Sequence, residues 1–239
     1  MRKLIFNDDG GGSRIPQFLA RTADKFFEQR ARGLEGSKVD TVSFCTTAGT
    51  FGRFYHRSKI GETADDTRGR YFPSVIPDLL SAGTDPLAEM VSHCHGSGKE
   101  IWWSFRMNDT HDASNKLLVP EFKKNHPEYL LGRMGRKQKF GKWSSVDYGI
   151  SAVRELAVAF VGEVLENYDI DGIELDFFRH PVFFPSTAKG APATDNELAM
   201  MTDVVREVCS AVGAAGQARS KEMAFAIIIP DDIEYCRTI

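Results

Sequence analysis

Residues 170–177, with the sequence IDGIELDF, limit the possible folds of this chain more than any other segment. Side chains alternate along a β-strand, so the apolar residues occupy one face and Glu174 and Asp176 occupy the other. Carboxylates are costly to bury without partners, so two of them on an otherwise apolar strand indicate a polar site. In α/β proteins such sites lie at the carboxyl ends of parallel strands. The segment therefore predicts an α/β fold with a functional site where this strand ends.

Strand-like and helix-like segments alternate along the chain. Apolar, β-prone runs occur at residues 3–7, 39–47, 100–107, 171–178 and 223–229. Helical patterns lie at residues 22–34, 85–96, 150–167 and from the capping box of Thr194 and Glu197 onward. This alternation predicts a parallel sheet with the strands in sequential order, because right-handed crossovers place successive strands side by side. The two long connections, 48–84 and 108–148, are then expected at the carboxyl-end face.

The length of the chain limits how many strands of a barrel it can contain. The 239 residues are 42% hydrophobic and 26% charged, a composition typical of a globular domain with a core. A closed (β/α)8 barrel needs about 250 residues and eight strands, whereas five strands are predicted here. The sequence therefore predicts a single domain over residues 1–239, an α/β fold of the (β/α)8 TIM-barrel type. This barrel is expected to be incomplete, with about five βα units, and truncated before the last three.

Charge and cysteine content argue against several classes of function. The formal net charge of −3 is unlike that of a general nucleic-acid-binding or membrane-surface protein. The four cysteines have no CxxC spacing and are expected to be reduced thiols rather than a disulfide framework or a zinc site. The apolar run after Met1 is too short for a signal peptide or a membrane span, so a cytoplasmic location is expected. The oligomeric state is left open.

Two motifs between residues 143 and 181, SVDY at 145–148 and YDIDGIELDF at 168–177, carry a resemblance to a known family. The chain resembles the glycoside hydrolase-like (β/α)8 barrel proteins, which are related in fold to the family-10 glycosyl hydrolase-like group. Weaker similarities are FNDDG at 6–10 and HPEYLL at 126–131. The resemblance implies a carbohydrate-active barrel, a glycoside hydrolase that acts on a poly- or oligosaccharide and needs no cofactor.

Glu174 and Asp176 are the predicted catalytic residues. Glycoside hydrolysis needs two carboxylates on either side of the scissile bond. Asp176 lies nearer the end of the strand and is therefore the better placed to react, with Glu174 orienting it. The opposing carboxylate is expected from another strand, in a part of the barrel beyond Ile239. The alternative for Glu174 and Asp176 is a structural ion pair with Arg106 or Arg179.

The sequence departs from other barrel families around this strand. Classical retaining glycosidases carry an Asn-Glu pair at the end of their fourth strand, and no such pair follows the fourth predicted strand here. The chitinase motif DGxDxDxE is matched only by DGIELDFF, with Phe178 at the position of the acid. In amylase-type barrels the residue at the position of Asp176 is the nucleophile, which is the nearest mechanistic match.

Eight further residues are predicted to bind the substrate: Asn7, Asp8, Tyr55, Arg106, Asn108, Trp143, Arg179 and His180. Some lie at the end of a predicted strand, on or next to its polar face, and others directly follow the acidic strand. Tyr55 and Trp143 are aromatic residues of the long loops. His180 is also a candidate acid or base. The basic residues between 133 and 142 are interpreted either as a solvated surface or as a region that attracts an acidic glycan.

Two other functions are compatible with the sequence. A metal-dependent carbohydrate esterase or deacetylase would use Asp8, Asp9 and histidines, and the FNDDG motif is similar to part of that family's metal site. Those enzymes also use a His-x3-His pair as metal ligands, whereas this sequence offers the triplet His93-Cys94-His95. A non-catalytic glycan-binding barrel would keep the fold and lack the chemistry. A glycoside hydrolase is expected to hold no metal, so the metal content of the protein separates that function from the esterase.

Overall fold

The computed structural model describes residues 4–10, 22–31, 33–64 and 74–236. Its strands are β1 (Ile5–Asp8), β2 (Thr41–Cys45), β3 (Arg53–Phe54), β4 (Glu62–Thr63), β5 (Glu100–Arg106), β6 (Gly172–Asp176) and β7 (Ala224–Ile228). Five of them form a sheet in the order β1-β2-β5-β6-β7, and every pairing in it is parallel. The five predicted strands, their parallel pairing and their sequential order are confirmed.

The helices are α1 (Ala23–Ala31), α2 (Ile76–Ser81), α3 (Pro86–Gly96), α4 (Glu121–Asn125), α5 (Ser151–Asn167), α6 (Pro185–Ala188), α7 (Asp195–Arg219) and α8 (Ile233–Cys236). The four predicted helices are present close to their predicted positions, as α1, α3, α5 and α7, and shorter helices lie between and after them. The Asp85 side chain caps α3 by accepting hydrogen bonds from two backbone N–H groups. Thr194 and Glu197 form the predicted capping box at the start of α7. Within the described ranges no helix is long and apolar enough to cross a membrane.

The two faces of the sheet have opposite character. Helices cover one face, and the strand residues on it are buried and apolar: Val42, Phe44, Ile101, Trp103, Phe105, Ile173 and Leu175. The opposite face carries polar side chains, and the β5–β6 register pairs Ser104 with Glu174 and Arg106 with Asp176. The two carboxylates of β6 therefore point away from the helices, as the alternation along the strand predicted.

The edge strands β1 and β7 are the least covered part of the sheet. Ile5 and Phe6 of β1 and Ile227 of β7 are exposed, whereas every residue of β2 is buried. Parallel sheets are normally covered on both faces. The described residues thus form an open sheet with two apolar edges, rather than a closed barrel.

The connection between β2 and β5 contains a short parallel ladder of β3 and β4 that the sequence did not predict. Phe51 and Phe54 of this connection are buried in the core. The ring of Phe51 lies 5.8 Å from that of Phe105 and 5.5 Å from that of Phe160, measured between centroids. The aromatic residues of this connection therefore hold it against the helix-covered face of the sheet.

A buried ion pair joins the two long connections. The Lys123 ammonium in α4 lies 2.9 Å from Asp112 Oδ2, and both side chains are fully buried. The Thr50 and Ser144 hydroxyls donate to the Asp112 carboxylate, and Lys123 also donates to Thr50 Oγ1 and to the Ser144 carbonyl. Thr50 belongs to the connection 48–84 and the other three residues to the connection 108–148, so the hydrogen bonds of Thr50 to the pair tie the two connections together.

Candidate active site

Asp176 ends β6 at the centre of the site. Its Oδ1 accepts hydrogen bonds from the backbone N–H groups of Phe178 (2.9 Å) and Arg179 (3.0 Å). Its Oδ2 lies 3.9 Å from Arg106 Nε, and the side chain is 13% exposed. Burial raises the pKa of the Asp176 carboxyl, while the two N–H donors and Arg106 act in the opposite direction. One carboxylate oxygen is therefore fixed, and the other faces the cation.

Glu174 lies one strand repeat deeper on the same face. Its Oε1 accepts hydrogen bonds from Ser43 Oγ (2.6 Å) in β2 and from Asn7 Nδ2 (3.2 Å) in β1, and its side chain is buried. Asn7 is thus brought to the site, but through its contact with Glu174. The carboxylate links three strands across the polar face, which suits a residue that positions the site from below.

Arg106 connects the ends of β1, β5 and β6. Its guanidinium donates to Asp109 Oδ2 at 2.9 Å and to the backbone carbonyl of Asp9. The same group lies 3.7 Å from Asp9 Oδ2 and 3.9 Å from Asp176 Oδ2. The structural alternative considered for Arg106, an ion pair with a carboxylate, is therefore present, and its main partner is Asp109.

Asp109 and His111 form a hydrogen-bonded chain with Arg179. His111 Nδ1 lies 2.6 Å from Asp109 Oδ1, and Arg179 Nη2 lies 3.1 Å from His111 Nε2. Because Arg179 can only donate, His111 Nε2 accepts its hydrogen bond, and Nδ1–H donates a hydrogen bond to Asp109. Burial alone would raise the pKa of Asp109, but the His111 hydrogen bond and the Arg106 charge hold it well below its usual range.

His180 adopts a left-handed backbone conformation with φ of 59°, which is uncommon for a residue with a side chain. Its Nδ1 accepts the backbone N–H of Thr110 at 3.3 Å, and its ring lies 4.9 Å from that of His111. Burial lowers the pKa of His180 to about 4, so the imidazole is neutral at pH 7. With Nδ1 accepting, the neutral ring carries its proton on Nε2.

The set most suited to a metal ion is Asp109, His111 and His180, whose ligand atoms lie within 4.8 Å of one another. Two histidines and a carboxylate are a common set of ligands for divalent transition metals. Here, however, Arg106 already donates to Asp109, and Arg179 donates to His111. These two positive charges oppose a cation, so the geometry favours a hydrogen-bonded relay.

Asn108 is placed differently from the prediction. Its Nδ2 donates to the carbonyls of Val146 (3.1 Å) and Val182 (2.7 Å), and its Oδ1 accepts from the Val146 N–H (2.9 Å). The side chain is fully buried. All its polar atoms are used inside the protein, so Asn108 clamps the loops that follow β5 and β6 and does not face a substrate.

Asp8 is also placed differently from the prediction. Arg30 Nη1 of α1 donates to both carboxylate oxygens of Asp8, at 2.5 and 2.6 Å, on the helix-covered side of the sheet. Strand alternation explains this, because Asn7 points to the polar face and its neighbour must point the other way. The carboxylate of this segment that reaches Arg106 belongs to Asp9, which lies just past the end of β1 and is 66% exposed.

The two predicted stacking residues are only partly available. Tyr55 is half-buried and packs against the apolar core. Trp143 is half-buried too, and its indole N–H donates to the Ala113 carbonyl at 3.1 Å. The histidines named for the esterase alternative lie elsewhere, since His95 Nε2 pairs at 2.9 Å with Asp171 Oδ2, next to the amino end of β6.

Asp109 and His111 lie in the candidate site but were not among the residues predicted from the sequence. Arg106 and Asp109 are three residues apart just past a strand, a spacing at which opposite charges can pair in a turn. His111 follows two residues later. A charged Arg-x-x-Asp-x-His sequence directly after a polar strand face was therefore the signal that could have identified them.

Comparisons with known proteins agree with the fold. No family model matches the sequence. Over 102 residues the chain is 28% identical to Glycosyl hydrolase YngK of Bacillus subtilis (strain 168), a match that covers 41% of this chain and 19% of that protein. The predicted resemblance to glycoside hydrolase-like barrel proteins is thus confirmed at the level of a distant relative.

Solved structures of similar fold include several glycosidases. The alpha-L-fucosidase isoenzyme 2 from Paenibacillus thiaminolyticus superposes with a TM-score of 0.51 at 15% identity, covering 97% of this chain and 33% of that one. The GH36 alpha-galactosidase AgaA from Geobacillus stearothermophilus gives 0.52 at 15% identity, covering 95% and 28%. The noncanonic maltogenic alpha-amylase AmyB from Thermotoga neapolitana gives 0.51 at 14% identity, covering 98% and 47%. The chain spans less than half the length of each, and these likenesses describe the fold alone.

Proposed function

We propose that this chain forms the catalytic face of a glycoside hydrolase that cleaves a poly- or oligosaccharide, with Asp176 as the reacting carboxylate. The observation that carries the proposal is the geometry of Asp176, whose Oδ1 is fixed by two backbone N–H groups while Oδ2 faces Arg106. A carboxylate held in this way can attack or stabilise a developing oxocarbenium ion without first reorganising. The distant sequence similarity to a protein named as a glycosyl hydrolase supports the same function.

A second carboxylate is needed on the other side of the scissile bond, and Asp9 is the candidate within the described residues. Asp9 and Asp176 approach different nitrogens of the Arg106 guanidinium, at 3.7 and 3.9 Å. Their carboxylates are therefore at most about 10 Å apart, a limit that includes both the retaining and the inverting separations. Asp109 and Glu174 are buried and hydrogen-bonded, so neither can reach a substrate as readily as Asp9.

Arg179 and His180 are proposed to bind substrate oxygens beside Asp176. Arg179 Nε is buried and has no hydrogen-bond partner in the part of the chain that the structure describes. Leaving a buried N–H donor without a hydrogen bond costs free energy. A sugar hydroxyl or ring oxygen could accept that hydrogen bond. The neutral His180 ring can offer its Nε2–H in the same way. Trp143 is proposed to support the loop on which the binding surface is built.

The proposal includes a larger barrel than the five strands described. The apolar residues exposed on β1 and β7 are typical of strands that pair with further strands. Closure of a (β/α)8 barrel requires eight. Strands added at these edges would cover the apolar edge residues and could supply another carboxylate opposite Asp176, in place of Asp9.

The test is the pair of variants Asp176→Asn and Asp9→Asn, with Asp203→Asn as the matched control on the exposed surface of α7. Release of reducing ends from a panel of polysaccharides is measured beside binding of the same glycans. Asp176→Asn should lower turnover by several powers of ten, which corresponds to about 4 kcal/mol or more, and leave binding intact. Near-normal turnover by a folded Asp176→Asn variant would refute the assignment.

A metal-dependent carbohydrate esterase is the second candidate, because Asp109, His111 and His180 bring three ligand atoms together. That function predicts loss of deacetylation on chelation and its return with a divalent metal. The glycosidase proposal predicts hydrolysis that a chelator leaves unchanged. A binding protein without chemistry would show glycan binding and no turnover in either assay.

A further inference from the structure

Two neighbouring cavities extend from the candidate active site along the surface. The first, of about 340 Å³, is lined by His180, Lys139, Phe140, Lys142 and Tyr235 among others. The second, of about 430 Å³, continues from Lys139 along residues 131–138 to α6. Each volume is in the range of small-ligand sites. The two cavities share Lys139 and are therefore adjacent, and together they are called here the basic groove, which begins at His180.

The basic groove has a strongly positive lining. Its cations are Arg133, Arg136, Lys137, Lys139, Lys142 and Lys189. No carboxylate lines either cavity, and none of these six side chains is in an ion pair among the described residues. The chain as a whole carries a formal charge of −3. Positive charge is therefore concentrated at this groove against the overall balance, and such a concentration attracts anions.

Hydrogen bonds and packing hold the groove in shape. Gln138 Nε2 donates to the Leu131 carbonyl at 2.7 Å, and the Phe140 N–H donates to the Ala188 carbonyl at 3.2 Å. The stem of Lys139 packs so closely over Gly190 that a Cβ there would lie 2.5 Å from Lys139 Cδ. The cations are thus presented from a fixed segment, which lowers the entropy lost on binding.

We infer that the basic groove binds an acidic oligosaccharide, one whose sugars carry carboxylate or sulfate groups, and positions it as a substrate for Asp176. This inference rests on the proposed function, since it makes the occupant of the groove a substrate of that site. His180 connects the two, because it lines the first cavity and also belongs to the Asp109–His111 cluster. The half-exposed Phe140 ring, with Lys139 Nζ 5.6 Å from its centroid, offers an apolar surface to a sugar ring beside a cation for its anionic group.

The test measures binding in the Asp176→Asn background, so that it does not depend on hydrolysis. The probes are an oligogalacturonate, a carrageenan oligosaccharide that carries sulfate and no carboxylate, and a neutral cello-oligosaccharide, titrated calorimetrically at two salt concentrations. The triple variant Arg136→Gln, Lys139→Gln, Lys142→Gln should lose about tenfold or more in affinity for an acidic probe. The matched control Lys38→Gln, Lys124→Gln, Arg206→Gln removes the same charge from other exposed positions and should lose much less. Circular dichroism verifies that both variants fold.

The two acidic probes distinguish carboxylate from sulfate recognition, and tighter binding of either one than of the neutral glycan supports the inference. Equal affinity for the neutral and acidic probes would overturn it, as would equal losses in the triple variant and its control. Tighter binding of single-stranded DNA or of vesicles containing an anionic lipid would overturn it as well. If acidic glycans bind the groove but no glycan is hydrolysed by the unmodified protein, the proposed function fails while the groove assignment stands.

Discussion

The substitution Asp112→Asn should destabilise the protein strongly through a charge left behind in the interior. It keeps the side-chain volume but leaves the Lys123 ammonium fully buried without its counter-charge 2.9 Å away. Breaking a buried pair by removing one partner costs about 3–5 kcal/mol. That is a large part of the about 5–15 kcal/mol by which a domain of this kind is stable. Lys123→Met should cost a similar amount, because it strands the carboxylate instead.

The double variant Asp112→Asn, Lys123→Met separates the charge effect from simple loss of packing. With both charges removed, the cost should be smaller than the sum of the two single costs by about 2 kcal/mol or more. Guanidinium unfolding followed by circular dichroism and tryptophan fluorescence gives the four free energies of unfolding. Strictly additive costs, or a single-variant cost under about 1 kcal/mol, would refute the argument that the buried pair holds the two connections.

Three further predictions follow from the site and its surroundings. Burial raises the pKa of Asp176, so the acidic limb of the pH–rate profile should lie at higher pH than that of an ordinary aspartate. Glu174→Gln should shift this limb less than Arg106→Gln does. Burial lowers the pKa of Lys123 from the ordinary value of 10.5. Between the lowered pKa and 10.5 the unfolded state binds more protons, so the free energy of unfolding, measured in denaturant titrations at alkaline pH, should rise with pH in that window. His180→Asn, which tolerates φ of 59°, should keep stability within about 1 kcal/mol while lowering turnover, whereas His180→Val should also destabilise by about 1–3 kcal/mol. Equal stability of these two variants would show that the backbone there is not strained.

Much of the fold could be predicted because its signals are local. The β6 segment alternates apolar and acidic residues, and the capping residues Asp85 and Thr194 mark where α3 and α7 begin. The ladder of β3 and β4 could not be predicted in the same way, because two-residue strands have no periodicity of their own. Its position depends on Phe51 and Phe54 packing into a core that forms from distant segments.

The candidate site was predictable only where the strand itself orients the side chain. Glu174, Asp176 and Arg106 lie on the predicted face because alternation decides it. The prediction that Asp8 lies in the site was wrong. Asn7 is on the polar face, so alternation places its neighbour Asp8 on the opposite face. Asn108 lies beyond the regular strand, where the turn and not the pleat directs its amide. Loop partners such as Val146 are set by tertiary contacts that sequence spacing does not contain.

The Asn108 clamp has a consequence for how the two loops could be altered, by selection or in the laboratory. One amide group holds the backbone at Val146 and at Val182 together. A transplant of either loop from another barrel would change one backbone and leave Asn108 with an unmatched donor or acceptor in a dry environment. The loops after β5 and β6 therefore form one exchangeable unit. New specificity should come more readily from changing both together, or from surface substitutions that leave the backbone in place.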